Sequence, residues 1–378
     1  MIAMALAEGF LSGVCSGAIL VWFYNRFLAS RRESYAKKAM SLATIPLATL
    51  AGALHAVAVL ADFPHSSIPA LAGLAIVVLK ARTVIRQRKL GRGVVRQHLD
   101  VGTHGINWRR YHPVVRAGLG LLAPINRVDR LELVEVEARI PGLHPDMDGY
   151  RILHLTDFHV HPTLRKQWFG AVIDRSLDLG PDAVLVGGDY VSRRWHGRNA
   201  EAALAGLAHL DVPVLAIRGN HDFWTGPRFF ARMLRNWGAE LMVNDLVLLT
   251  RGEGALWVAG IEAPYIPMTH RAVGELRGRM ESERPDAPRL GLVHTPEAFS
   301  LAAELGCAFA IAGHTHGGQI RLPFFGTTIA GCAEPAEFVW GMGHVGGMTT
   351  CVSNGIGAFF PLRVMCPPQV VVVTLRAG

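Results

Sequence analysis

Residues 151–159 read RILHLTDFH. The apolar run 151–156 has the character of a strand, and it stops at Asp157-Phe158-His159, whose outer residues are of types that prefer metals. Upstream, residues 131–140 alternate like a second strand. Downstream, 164–179 has helical spacing and halts at Gly180-Pro181. Residues 183–186 form a short apolar strand, 200–210 a helix and 212–217 another strand. This βαβαβ order predicts a mostly parallel sheet with right-handed crossovers.

The order then changes. Residues 241–250 and 255–261 flank Arg251-Gly252-Glu253-Gly254, a hairpin signal. Further short strands are expected at 290–293, 309–312, 319–322, 349–352 and 369–374. The predicted fold is α/β, a four-layer sandwich of two mixed β-sheets flanked by helices.

Each predicted strand that matters ends in chemistry. After the first comes Asp157-Phe158-His159, after the second Gly188-Asp189, and after the third Gly219-Asn220-His221-Asp222. Later strands end at His294 and at Gly313-His314-Thr315-His316. Loops beyond the carboxyl ends of strands converge on one crevice in open α/β sheets. One Asp-x-His is ordinarily a capped turn, but five such fragments in this order are hard to explain as structure alone.

The series resembles the calcineurin-like metallophosphoesterase family over roughly residues 131–375, with all five motifs intact. It departs from the family pattern at Pro368-Gln369, where many relatives have Pro-Glu. The resemblance implies that one metal takes Asp157, His159 and His316, that a second takes Asn220, His294 and His314, and that Asp189 bridges them. It also implies that His221 stabilises the transition state or protonates the leaving oxygen, with Asp222 orienting it. The chemistry suits a phosphodiester, whose negative oxygens repel nucleophiles. Two divalent cations about 3.5–4 Å apart activate water and clamp the phosphoryl oxygens. The mixed O/N donor set fits Mn, Fe or Zn. The run His314-Thr315-His316-Gly317-Gly318-Gln319, with an apolar segment ahead of the domain, resembles a membrane-attached branch. That branch includes enzymes hydrolysing UDP-2,3-diacylglucosamine in lipid A synthesis.

The chain has 378 residues, 50% of them hydrophobic, with 38 Lys+Arg against 30 Asp+Glu. Its positive mean hydropathy of +0.26 beside a net charge of +8 points to a greasy part joined to a charged one. Such a composition excludes a disordered chain. The five cysteines (Cys15, Cys307, Cys332, Cys351, Cys366) include no CxxC, so neither a disulfide framework nor a zinc ribbon is expected. Residues 1–25 lack Lys and Arg, and 10–24 is almost wholly apolar, which reads as an uncleaved anchor with Glu8 at its outer edge. Residues 41–61 are long enough to span, whereas 68–79 is short, leaving two or three transmembrane helices or a buried hairpin. Arg31, Arg32, Lys37 and Lys38 follow the first run, and Lys80, Arg82, Arg86, Arg88, Lys89, Arg92 and Arg96 follow the third. The positive-inside rule then places the N-terminus outside and the catalytic domain in the cytoplasm, at the inner membrane. The expected organisation is a membrane region over 1–90, a basic connector at the membrane surface over 91–128, and the catalytic domain over 129–378. The basic balance is accounted for by the bilayer, so nucleic acid is not expected as a partner.

The expected partners are the lipid bilayer and a phosphorylated, lipid-linked substrate. Arg193, Arg194 and Arg198 follow the Asp189 loop and are candidates for a diphosphate, against the alternative of a solvated face. Phe223 and Trp224 either line a lipid or base pocket or are buried under the loop. His161 either reaches substrate or is solvated, and Phe229, Phe230, Met233, Leu234 and Trp237 have helical spacing that reads as core packing, against the alternative of a surface receiving acyl chains. Competing functions are a phosphodiesterase on soluble or phospholipid substrates, a non-catalytic membrane scaffold or sensor, and a transporter. The complete ligand set argues against the scaffold, and the lack of a paired intramembrane charge argues against the transporter.

Overall fold

A computed structural model of the chain describes residues 2–23, 35–61, 67–90, 94–162, 164–193, 196–322, 326–327, 338–358 and 360–378. Its strands are β1 (Val95–His98), β2 (Glu132–Ile140), β3 (Arg151–Leu155), β4 (Ala183–Val186), β5 (Val214–Ala216) and β6 (Glu240–Leu241). They continue with β7 (Asp245–Arg251), β8 (Gly254–Ile261), β9 (Arg289–Val293), β10 (Phe309–Ala312), β11 (Arg321–Leu322) and β12 (Gly326–Thr327). The last are β13 (Gly341–Val345), β14 (Met348–Val352) and β15 (Gln369–Ala377). One sheet has the order β1-β2-β15-β3-β4-β5-β6 and the other β13-β14-β10-β9-β8-β7. β3 to β6 are parallel, as are β8, β9, β10 and β14, whereas the pairs β1–β2, β15–β3, β7–β8 and β13–β14 are antiparallel. Both sheets are therefore mixed, as the sequence predicts.

Side-chain alternation explains the layering. Along β4, Ala183 and Leu185 enter the core between the sheets, while Val184 and Val186 enter the core under the outer helices. β15 repeats this, with Val371 and Val373 inward and Val370 and Val372 outward. On the second sheet Phe309 and Ile311 face the inter-sheet core, and Ala310 and Ala312 face the opposite helical layer. Each fully buried Val, Leu, Ile or Phe contributes about 1.5–3 kcal/mol. One outer layer holds α5 (Lys166–Leu177), α6 (Gly197–Ala203) and α8 (Pro227–Asn236), the last burying Phe230, Met233 and Leu234. The other holds α9 (His270–Glu283) and α10 (Phe299–Glu304).

Three local expectations are corrected. The helix over 200–210 is shorter, because Leu204 leaves helical geometry (φ −110°, ψ 13°) just before Gly206. β13 was not foreseen, since Gly341-Met342-Gly343 gives no apolar pattern; it forms by pairing with β14. Residues 91–128 are more than a connector. They supply edge strand β1 and α4 (Pro113–Leu121), and Leu99, Val101, Trp108 and Tyr111 pack on the outer core.

Ahead of the sheets lie α1 (Ile2–Phe23), α2 (Tyr35–Leu60) and α3 (Ile68–Leu90). Among the described residues one helical stretch, Ile2–Leu20, is long and apolar enough to cross a membrane by length and composition. Leu47–Leu60 and Ile68–Leu79 are shorter apolar stretches. α1 and α2 approach closely at Gly9 and Gly52, where a Cβ on Gly9 would lie 2.6 Å from the Gly52 carbonyl oxygen. Glu8 does not stand alone at a helix edge. Ser67 Oγ donates to it at 3.1 Å and His55 Nε2 lies 3.5 Å away.

Candidate metal centre

The site forms where strands of both sheets end. Asp157 and His159 follow β3, Asp189 follows β4, and Asn220, His221 and Asp222 open the short helix α7 (Asn220–Thr225) after β5. His294 follows β9, while His314 and His316 follow β10. The backbone is strained to bring them in. Asp157, His159, Asp189, His314 and His316 all have positive φ, between 44° and 70°. A non-glycine residue held there costs on the order of 1–3 kcal/mol, and such strain clusters at functional sites. The motif glycines answer a different need. A Cβ on Gly219 would lie 2.2 Å from Asp189 Oδ1, and one on Gly313 would lie 2.1 Å from Asp157 Oδ2.

Asp189 sits at the centre, almost fully buried. Its Oδ2 is 3.3 Å from His159 Nε2 on one side and 3.4 Å from His294 Nε2 on the other. Beyond His159, Asp157 Oδ1 lies 3.9 Å from that ring's Nε2 and 3.7 Å from His316 Nε2. Beyond His294, Asn220 Oδ1 is 3.0 Å from His294 Nε2 and 2.9 Å from His314 Nδ1. The groups Asp157/His159/His316 and Asp189/His294/His314 each gather their ligand atoms closely enough for a metal ion, as does His159/Asp189/His221. All seven residues expected as ligands thus meet in one place.

The electrostatics suit cations. Burial alone would push Asp189 up, but His294 and His221, with the ring nitrogens of His159 and His294 facing its carboxylate, hold it well below the usual carboxylate range. Burial drives His221 down to about 3 against the pull of Asp189. Burial and neighbouring rings likewise lower His314 and His316, so these rings are neutral and offer lone pairs. His294 is the exception. Burial opposes its charge, yet Asp189 raises it to about 10. Its Nδ1 lies 2.7 Å from the Gly187 carbonyl oxygen, which can only accept, so the ring presents Nε2 to Asp189 and Asn220.

The residues fit divalent metal. His159 Nε2 is buried without a hydrogen-bond partner among the described residues, and it faces two buried carboxylates. Carboxylates, imidazoles and one amide oxygen are donors that suit Mn, Fe or Zn. The calcineurin-like phosphoesterase family model matches residues 150–318, which span every one of these ligands. The chain carries a calcineurin-like metallophosphoesterase domain.

The relatives agree. The chain is 26% identical over 239 residues to phosphodiesterase YaeI of Escherichia coli K12, covering 60% of this chain and 82% of that protein. It is 27% identical over 239 residues to the metallophosphoesterase YkuE of Bacillus subtilis 168, covering 61% and 80%. It is 23% identical over 274 residues to a transmembrane protein with metallophosphoesterase domain of Danio rerio, covering 70% and 61%. The domain and these relatives mark the protein as a metal-dependent phosphoester hydrolase.

Several metallophosphoesterase residues take places that sequence order did not disclose. Asp222 was expected to orient His221. Instead its carboxylate accepts the backbone N–H groups of Asp189 (2.8 Å), Tyr190 (3.0 Å) and Gly219 (2.9 Å), locking the bridging loop to the start of α7. The carbonyl oxygen of Ser192 lies 3.3 Å from His221 Nδ1 and can only accept, so the neutral ring carries its lone pair on Nε2. Trp224 lies against the His221 ring at 5.0 Å. Phe223 is instead stacked on Tyr265 at 5.6 Å, with the Arg218 guanidinium 4.7 Å from its ring centroid. Arg193 and Arg198 are exposed near the Asp189 loop, and Arg194 lies outside the described residues. The rings of His161 and His196 meet edge-on at 4.6 Å.

Two residues were missed. Arg218, just before the Gly219 motif, pairs with fully buried Glu262 through Nε (2.9 Å) and Nη2 (2.7 Å). Arg363, wholly buried, donates to His316 Nδ1 (3.3 Å) and to the Asn354 carbonyl (2.9 Å), bracing that ligand from behind. The nearness of Arg218 to the motif was the one available signal.

Proposed function

We propose that the protein is a membrane-anchored, dinuclear phosphohydrolase that cleaves a phosphoester or pyrophosphate bond in a lipid-linked substrate. The observation that carries the reading is Asp189, one buried carboxylate facing ligand nitrogens of two groups at 3.3 and 3.4 Å. A divalent pair bound there supplies an activated water and neutralises phosphoryl oxygens. The chain's own residues do the rest. Asp189 and Asp157 balance cationic charge, Asp222 fixes the bridging loop, and His221 stands beside the reacting phosphate. A neutral His221 must gain a proton before it can give one to a leaving oxygen. Arg193 and Arg198 reach toward a diphosphate, and Trp224 meets an apolar or aromatic part of the substrate.

The apolar helix Ile2–Leu20 and the transmembrane-named relative support attachment to a membrane. The basic residues after 25 and after 79 favour the N-terminus outside and the catalytic domain in the cytoplasm. A tail held in the inner leaflet and a phosphorylated head describe the substrate. UDP-2,3-diacylglucosamine, cleaved to UMP and a diacylglucosamine 1-phosphate, meets that description. The name of YaeI favours a second reading, a broader phosphodiesterase. The test is detergent-purified full chain with Mn²⁺, offered this lipid, a phospholipid and a water-soluble diester. UMP release from the first supports the narrower reading. Turnover of the others alone leaves the hydrolase and removes the lipid assignment.

A further inference from the structure

Between Asp100 and Asp129 the chain has no acidic residue but carries Arg109, Arg110, Arg116 and Arg127. Within this stretch α4 and the turn after it run Pro113 to Ile125, with Arg116 their one formal charge. A surface helix ordinarily turns its apolar stripe inward. Here it points out. Leu121 is 84% exposed and Ile125 48%, with Val115 and Leu122 exposed beside them. Among the described side chains from 109 to 125, only Leu119 is buried. A cavity of about 590 Å³, lined in part by Ala123, Trp108 and His104, lies beside the end of this segment.

The face continues to the metal centre. Asn126 donates to the Pro361 carbonyl (2.8 Å) and accepts the Arg363 N–H (3.0 Å), tying the end of α4 to the loop that holds exposed Phe360 and Met365. From the same loop Arg363 braces His316, and the Gly357 N–H donates to the Asp157 carbonyl at 2.7 Å. The apolar face and the ligands are therefore two sides of one loop.

We infer that α4, residues 121–125, Phe360 and Met365 lie in the interfacial layer of an anionic bilayer. Exposed Arg109, Arg110, Arg116 and Arg130 stand among the headgroups, and a lipid-borne substrate enters the crevice along this face. Trp108 and Tyr111, half-buried and 6.4 Å apart, sit at the level where such rings partition. The bilayer is favoured over a second copy because the charge beside this face is chiefly cationic, Arg109, Arg110, Arg116 and Arg130 against Asp100 and Asp129, and a symmetric interface would set that excess against itself. The inference rests on the proposed function only for the identity of what enters.

The test uses the full chain in nanodiscs of phosphatidylethanolamine with about one quarter phosphatidylglycerol. A photo-crosslinking benzoylphenylalanine replaces Leu121. The expected adduct is lipid, falling severalfold in discs of phosphatidylcholine alone. An adduct with a second copy or with the chain's own residues 1–90, or labelling of the position by water-soluble reagents instead, overturns the inference. The double variant Leu121→Glu/Ile125→Glu should lose about tenfold or more in kcat/KM on a vesicle-embedded diester while turning over a water-soluble diester as before. Equal loss on both substrates, or on neither, also overturns it. Should the wild type hydrolyse nothing, the proposed function fails, and the crosslink still decides the face.

Discussion

At Asp189 one carboxylate faces ring nitrogens on both sides, so a single charge serves two ligand groups. Asp189→Asn keeps the shape and removes that charge; it should lose bound metal and more than about a hundredfold in turnover. His221→Ala should keep the metal and lose roughly 10²–10⁴ in rate, the scale of a positioned acid–base group. Metal analysis beside initial rates separates the two, and equal metal loss in both would make His221 a ligand. Gly219→Ala tests the close approach without replacing a ligand. Its Cβ would meet Asp189 Oδ1 at 2.2 Å, so metal affinity measured by titration should fall at least about tenfold. Wild-type affinity would mean the loop gives way. The ligand residues were readable because each motif lies in a short, contiguous run after a strand. Arg363 was not, since it stands 47 residues from the His316 that it braces, and only the fold joins them.

Among the elements, β3 holds His154 between the sheets with neither ring nitrogen hydrogen-bonded among the described residues. Burial, helped by His294, lowers its pKa to about 3. The unfolded chain binds a proton there near pH 6.5 that the native state refuses. Stability from this group is therefore complete above about pH 6.5 and is lost as pH falls toward 3. His154→Leu should flatten the acid limb of the stability curve by an amount on the order of a few kcal/mol, measured by denaturant unfolding between those pH values. An unchanged limb would place the acid sensitivity elsewhere. The strands β3, β4, β5, β9 and β10 were readable because their faces are buried and their runs apolar. β1 was not, as all four of its residues are exposed and an edge strand carries no apolar alternation. Asp222 misled for a related reason. It neighbours His221 in sequence, but at the third position of α7 it reaches back to the N–H of Gly219.

For the whole molecule, the ligands and both sheets lie after residue 94, so deletion of residues 1–90 should leave a folded, metal-binding domain. A cooperative thermal transition and retained metal are expected; aggregation without a transition would tie the fold to the helices ahead of it. The overall charge was readable only as a balance between segments, because basic residues crowd the ends of the apolar runs and the segment before β2. In the proposed function two cations act together across Asp189. The most direct measurement is the initial rate of diester hydrolysis by metal-stripped full chain as Mn²⁺ is added in known equivalents, with bound metal counted at each point. Joint action of two ions gives little turnover up to about one bound ion per chain and a steep rise as the second loads. Full activity in the stripped protein, or a rate that saturates with one ion bound, would contradict it.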